Sequence, residues 1–148
     1  MLAYSFGQIN SVDVAFRGVM LLLAAHPQYQ LLPFRQINTF FNSIQMGRYL
    51  LVIKEEQIIG AILWAEISNL VRDTCISQNR GPFLNELETG SDAIYCIGFV
   101  ALESAALRPL WKNFVQRNKN RDILYKRHFS KKGKPKPIAL LRDGKVLS

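Results

Sequence analysis

The chain has 148 residues, 49% of them hydrophobic and 20% charged, which fits one domain of about 150 residues with its own core and excludes wholesale disorder. Two cysteines, Cys75 and Cys96, are too few for a disulfide framework, and with the two histidines they lack any finger-like spacing, so no metal is expected. The formal net charge of +8 is uneven: residues 108–148 hold thirteen basic and two acidic side chains, a net +11, which leaves −3 for residues 1–107.

Along the chain, Asn10 or Ser11 can cap a first helix, with Asp13 favourable in its first turn. Val12, Phe16, Val19, Met20 and Leu23 share one face of it. The run Val19–Ala25 is the longest purely apolar one, seven residues against the ~20 that span a bilayer. No Lys or Arg occurs in residues 1–8, so these do not read as a signal peptide, and a cytoplasmic protein with reduced thiols is expected. Pro27 should stop the helix at His26. Ile37, Phe40, Phe41 and Ile44 mark a second helix that ends near Gly47.

Then the period changes. Tyr49–Ile53 and Ile58–Trp64 are apolar, β-branched runs around the polar turn Lys54–Gln57, a hairpin covered on both faces. Asn69–Gln78 reads as a helix, Arg80–Asp92 as an acidic loop and Ala93–Ala101 as a strong strand. Leu102–Arg117 reads as a helix interrupted by Pro109, and Asp122–His128 and Ile138–Leu141 as strands around the basic turn Lys131–Pro137. The order describes one α/β domain, residues 1–148, on a mostly antiparallel sheet flanked by helices, with a basic C-terminal segment from about residue 108.

The chemistry-bearing residues are few. No phosphate-binding glycine loop and no G-x-S-x-G elbow is present. The basic segment suits an acidic protein, an anionic membrane or nucleic acid, or is a solvated tail. Trp111, Phe114, Tyr125 and Phe129 interleave its charges and are either base-stacking or core positions, and no nucleic-acid-binding signature accompanies them. His26, at a helix end before a proline, is either a general base or a cap for helix carbonyls.

The pattern His26-Pro27-Gln28-Tyr29, Phe34-Arg35-Gln36-Ile37-Asn38, Arg48-Tyr49-Leu50-Leu51 and Gly60-Ala61-Ile62-Leu63-Trp64-Ala65-Glu66-Ile67-Ser68 resembles the RTX toxin-activating lysine acyltransferases. Gly90-Ser91-Asp92 with Ile94–Ala101 resembles that family's next strand, and the segment up to Gly144-Lys145-Val146 its C-terminal strands. The resemblance covers roughly residues 10 to 146. It implies a GNAT-like fold and transfer of a fatty acyl group from acyl carrier protein to the ε-amine of a lysine. The acceptor it implies is a protoxin, and a small precursor peptide is the alternative within the class. No cofactor is implied beyond the donor, acyl carrier protein or else acyl-CoA; no nucleic-acid partner is expected, and a homodimer is compatible with it.

The family's catalytic histidine carries over to His26. Its aspartate partner falls on Gly98, which has no carboxylate to orient an imidazole. Asp92 and Glu103 are substitute acids to weigh, Asp92 also being readable as a plain loop acid. By strand alternation Asp92, Ile94, Cys96 and Gly98 share a face. Cys96 is there either an acyl-carrying thiolate or a small buried hydrophobe. Ile97, Gly98, Phe99 and Trp64 are expected to line the acyl channel and oxyanion site, and Gly60 and Gly98 to allow close approach or to mark bulges. Arg127, Lys131, Lys132, Lys134 and Lys136 are expected to dock the donor. The rival function is a degenerate acyltransferase that binds an acidic protein or nucleic acid through its basic segment.

Overall fold

The structure is a computed structural model, and it describes residues 3–126 and 138–147. The Ser11 side chain accepts from the Val14 amide at 3.3 Å and starts helix α1, Val12–Ala24. This bond satisfies one of the amides that a first turn leaves without a partner. Ala15, Val19, Leu22 and Leu23 are its buried stripe. The helix stops as Pro27 requires: His26 is extended, φ −110° and ψ 121°, and Pro27–Tyr29 forms one 3₁₀ turn. Helix α2, Phe34–Gln45, follows Pro33 and buries Phe40, Ser43 and Ile44.

Strands β2 (Tyr49–Lys54) and β3 (Gln57–Ile67) form the expected hairpin. Its turn is Glu55-Glu56, both at positive φ (51° and 65°), as a two-residue turn between right-twisted strands demands. Strand β1, Ser5–Gly7, pairs antiparallel with β2. Residues Tyr49–Val52 of β2 and Ile59–Ile67 of β3 are buried on both faces, the reason both runs are almost wholly apolar.

Helix α3, Asn69–Gln78, has the expected bounds and is capped by the Ser68 hydroxyl, which accepts from Val71 at 3.1 Å. The segment read as loop carries a 3₁₀ turn, Leu84–Glu86, and a two-residue strand β4, Leu87–Glu88, paired with the end of β3. Strand β5 spans Ala93–Ala101. Helix α4 begins only at Leu107 and runs to Arg117, after a 3₁₀ turn Ser104–Ala106. Pro109 does not interrupt it, because it falls in the first turn, where no intrahelical N–H is needed. Strands β6 (Asp122–Tyr125), β7 (Ala139–Arg142) and β8 (Lys145–Val146) complete the chain. β6 ends at Tyr125 within the strand expected up to His128, and Arg127 and His128 lie outside the described residues.

The eight strands form one sheet in the order β1-β2-β3-β5-β6-β7-β8, with β4 against β3. β5 and β6 pair in parallel; β1–β2, β2–β3, β3–β4, β6–β7 and β7–β8 are antiparallel. The chain divides into two compact units, Met1–Trp64 with Ile97–Phe114, and Ala65–Cys96 with Val115–Ser148. In the first unit α1 and α2 bury Val19, Leu23, Phe40 and Ile44 with Leu51, Leu63 and Val100 of the strands. In the second, Ile67, Cys75, Ala93, Leu124, Ile138 and Leu140 form the core. Among the described residues no helix is long and apolar enough to cross a membrane.

Candidate active site

His26 lies two residues beyond the last residue of α1, and the extended backbone that Pro27 imposes sets the course of the chain there. The Nδ1 atom is 2.8 Å from the Leu22 carbonyl oxygen, and Nε2 is 3.2 Å from that of Ala101, the last residue of β5. The ring is half-buried. A carbonyl oxygen only accepts, and a neutral imidazole has one N–H. The neutral ring therefore satisfies one of these contacts at a time, and only the doubly protonated ring donates to both.

The backbone that meets Nε2 is pinned. The Leu102 amide donates to the Ile59 carbonyl at 2.7 Å, and the Ala106 amide to the Glu103 carbonyl at 3.0 Å. The Glu103 carboxylate accepts from the Tyr4 hydroxyl at 2.9 Å and from Lys54 Nζ at 2.7 Å. Hydrogen bonding to Lys54, then to Tyr4, holds the Glu103 carboxyl below its ordinary range; the same bonds raise Lys54 and Tyr4. Gly60 lets β3 approach the end of β5. A Cβ there would meet Val52 Cγ2 at 3.1 Å, and Ala101 Cβ and the Val100 carbonyl oxygen at 3.2 Å each.

The expected site residues take different places. Neither Asp92 nor Glu103 bonds the His26 ring, whose partners are two carbonyls. Glu103 spends both oxygens on Tyr4 and Lys54, and Asp92 is exposed in the second unit. Gly98 is buried, and a Cβ on it would touch Phe40 Cε1 at 3.4 Å and Leu63 Cδ1 at 3.5 Å, within ordinary contact distance. Cys96 is half-buried, whereas Cys75 is fully buried, and that burial pushes its thiol up. Ile97 packs on the α1–α2 core. Trp64 meets Phe114 with ring centres 5.1 Å apart, and Phe99 meets Trp111 at 5.6 Å. These rings pack on one another. An apolar cavity of about 230 Å³ lies between α1 and α2, lined among others by Met20, Leu23, Tyr29 and Ile37. Arg127, Lys131, Lys132, Lys134 and Lys136 lie outside the described residues. Among the described residues no three His, Cys, Asp or Glu are grouped to hold a metal ion.

Sequence reasoning missed Ala101, Lys54 and Tyr4. A backbone carbonyl has no residue code, and the Lys54–Glu103 and Tyr4–Glu103 pairs lie 49 and 99 residues apart with no local signature.

A comparison with protein families matches residues 9–138 to the RTX toxin acyltransferase family (HlyC). The chain belongs to this family. Membership makes it an acyltransferase, and its fold agrees. The loading GNATL domain of CurA from Lyngbya majuscula superposes with a TM-score of 0.65 at 11% identity, over 86% of this chain and 66% of that one. The GphF GNAT-like decarboxylase, solved with isobutyryl-CoA, gives 0.65 at 9% identity, over 87% and 67%. The chain thus spans about two thirds of the length of these two proteins. An agmatine N-acetyltransferase variant gives 0.59 at 8% identity, over 90% and 92%. At such identities the likeness establishes a GNAT-like fold. No curated protein matches the sequence.

Proposed function

We propose that this family member moves a fatty acyl group from acyl carrier protein to the ε-amine of a lysine, on a protoxin or on a small precursor peptide. The observation that carries the reading is the His26 ring, whose Nδ1 lies 2.8 Å from the Leu22 carbonyl oxygen; the family resemblance assigns the catalytic histidine to it. In the neutral ring the shorter, local contact takes the proton, so Nδ1–H donates to Leu22 and Nε2 turns its lone pair toward the Ala101 carbonyl. Two acceptors then converge, and an ammonium group donates to both. The ammonium first sheds one proton to solvent, and the neutral amine attacks the thioester carbonyl carbon as it loses a second proton to Nε2. The C–N bond forms, the C–S bond breaks, and the imidazolium returns its proton to the departing thiolate. Main-chain N–H groups of Ile97–Phe99 are the candidates to hold the oxyanion. The net +11 of residues 108–148 supports an acidic carrier as donor. Acyl-CoA remains the alternative donor, since GphF was solved with one.

The test is mass spectrometry of a lysine peptide incubated with the protein and acyl carrier protein or acyl-CoA. A gain of one fatty-acyl mass on the lysine, lost in His26→Ala, is the expected result; no gain with either donor overturns the reading. Charge reversal at Lys131, Lys132 and Lys134 together should weaken donor binding. A salt series should weaken it too, because screening at physiological ionic strength acts beyond about 8 Å. The second reading is a non-catalytic binding module. That no carboxylate bonds the His26 ring among the described residues favours it, since a ring that donates to Leu22 and Ala101 is a staple between helix and strand.

A further inference from the structure

We propose that Glu103, Lys54 and Tyr4 are positioning residues that orient His26 through the Ala101 carbonyl, in place of a carboxylate bonded to the ring. The proposal rests on His26 as the general base.

With glycine at position 98, something other than an acid there must fix the ring. The second ring contact is the Ala101 carbonyl, which accepts from Nε2 once that atom has taken the substrate proton and so orients the imidazolium. A carbonyl orients an imidazole only as well as its own backbone is held, and this backbone leaves the sheet directly after Ala101. Three groups hold it there. The Glu103 side chain is tied to Lys54 on β2 and to Tyr4 ahead of β1, each by one carboxylate oxygen. The Leu102 amide is tied to Ile59 of β3. From the β3 side, Gly60 leaves room for the Val100 carbonyl and the Ala101 methyl, each 3.2 Å from where its Cβ would stand. The carboxylate thus works at one remove: it fixes the exit of β5, and the exit presents the acceptor. The charge-assisted bonds to Lys54 and Tyr4 suit this task, being short and directional. A misplacement of the ring by about 1 Å costs up to about 10²-fold in rate.

The experiment is a double-mutant cycle. Single-turnover acyl transfer is measured with saturating donor and acceptor for the wild-type protein, Glu103→Ala, Lys54→Met, His26→Ala and the two double variants. KM for both substrates and Tm are recorded alongside. Glu103→Ala and Lys54→Met should each slow the chemical step by about tenfold to 10²-fold with KM within twofold, and Lys54→Arg should restore most of the rate. In the His26→Ala background the same substitutions should have no further effect, because they act through the missing ring. Nitrogen-15 NMR of the labelled His26 ring should report a changed balance between Nδ1 and Nε2 protonation in Glu103→Ala, a readout independent of turnover. Equal losses in both backgrounds, or a folded Glu103→Ala with unchanged rate and unchanged ring signals, overturn the proposal. If Glu103→Ala does not fold, Tyr4→Phe and Lys54→Met carry the same cycle. A His26→Ala protein at wild-type rate is a separate result: it removes the base assignment itself, and the positioning role with it.

Discussion

Two carboxylates in this protein, one in each compact unit, are each held by two side-chain donors, yet they do different things. In the first unit Glu103 takes Lys54 and Tyr4, and the backbone it anchors presents a carbonyl to His26. In the second, Asp122 takes Arg72 at 2.7 Å and the Arg142 fork at 2.8 and 2.6 Å, which ties α3 to β6 and β7. Among the described residues no titratable ring or nucleophile bonds that cluster. One cluster underlies the proposed base and the other joins elements. What a carboxylate does is set by what its neighbours hold, since the local chemistry of the two is nearly the same.

The sharpest way to break this comparison is His26 itself. His26→Ala should lower the single-turnover rate by about 10² to 10⁴, the usual range for a lost general base, while donor binding persists. Substitutions at Asp122 should leave the rate of the folded protein unchanged. A His26→Ala protein that transfers at the wild-type rate would make both clusters merely structural.

The next largest effect tests why no carboxylate stands on the ring. A Cβ at Gly98 first meets Phe40 and Leu63, at ordinary contact distance, so Gly98→Ala should fold with a change within about 1 kcal/mol. Gly98→Asp places a carboxyl in that apolar setting, where an unpaired charge costs several kcal/mol and the group instead takes up a proton. Denaturant unfolding of both variants decides. A Gly98→Asp protein as stable as wild type and faster in transfer would mean that the position reaches His26 after all.

What surrounds Gly98 was not legible in the sequence, for a physical reason. Strand alternation says which face the position shares, but not what fills the space. Phe40, 58 residues away, does. The large elements were legible because their signals are local: Ser68 caps α3, Pro27 ends α1, and β5 is an unbroken apolar run. Strands β1, β4 and β8 have three, two and two residues, too short to leave a period, and exist by pairing with longer neighbours. His26 was legible as a residue, and its partners were not.

The Asp122 cluster should show itself in acid. Hydrogen bonding to Arg142 comes first among the causes that hold the Asp122 carboxyl below its ordinary range. The folded state therefore binds its proton less readily than the unfolded chain. The stability this contributes is fully present above the unfolded value of about 4 and is lost as pH falls through the lower folded value. Asp122→Asn should cost about 2 kcal/mol at pH 7, the scale of hydrogen bonds to charged groups, and less at pH 3. Glu103 and Glu86, also held low, leave the variant a residual slope of the same sign. Urea unfolding at pH 7, 5 and 3 measures it; a deficit that stays constant with pH would mean that the pairing with the arginines contributes nothing.

The smallest effect sharpens the contrast at a single hydrogen bond in the second unit. Asn79 ends α3 in the left-handed region, φ 50° and ψ 50°, a conformation that glycine adopts without cost. Backbone preference alone would make Asn79→Gly neutral or stabilising by a few tenths of a kcal/mol. But the Asn79 side-chain oxygen accepts from the Ile138 amide at 2.7 Å, where the chain enters β7. Without that oxygen a half-buried amide loses its partner, a penalty of about 1 kcal/mol or more. The two terms oppose each other, and the hydrogen bond wins. Asn79→Gly should therefore lower stability by about 0.5 to 1 kcal/mol, and Asn79→Asp, which keeps an acceptor, by less. Acyl transfer by the folded variants should match wild type, since this bond touches nothing that holds His26. A stabilised Asn79→Gly protein would show that backbone strain outweighs the side-chain bond. A slowed but stable one would couple the second unit to the chemistry and end the separation of the two clusters.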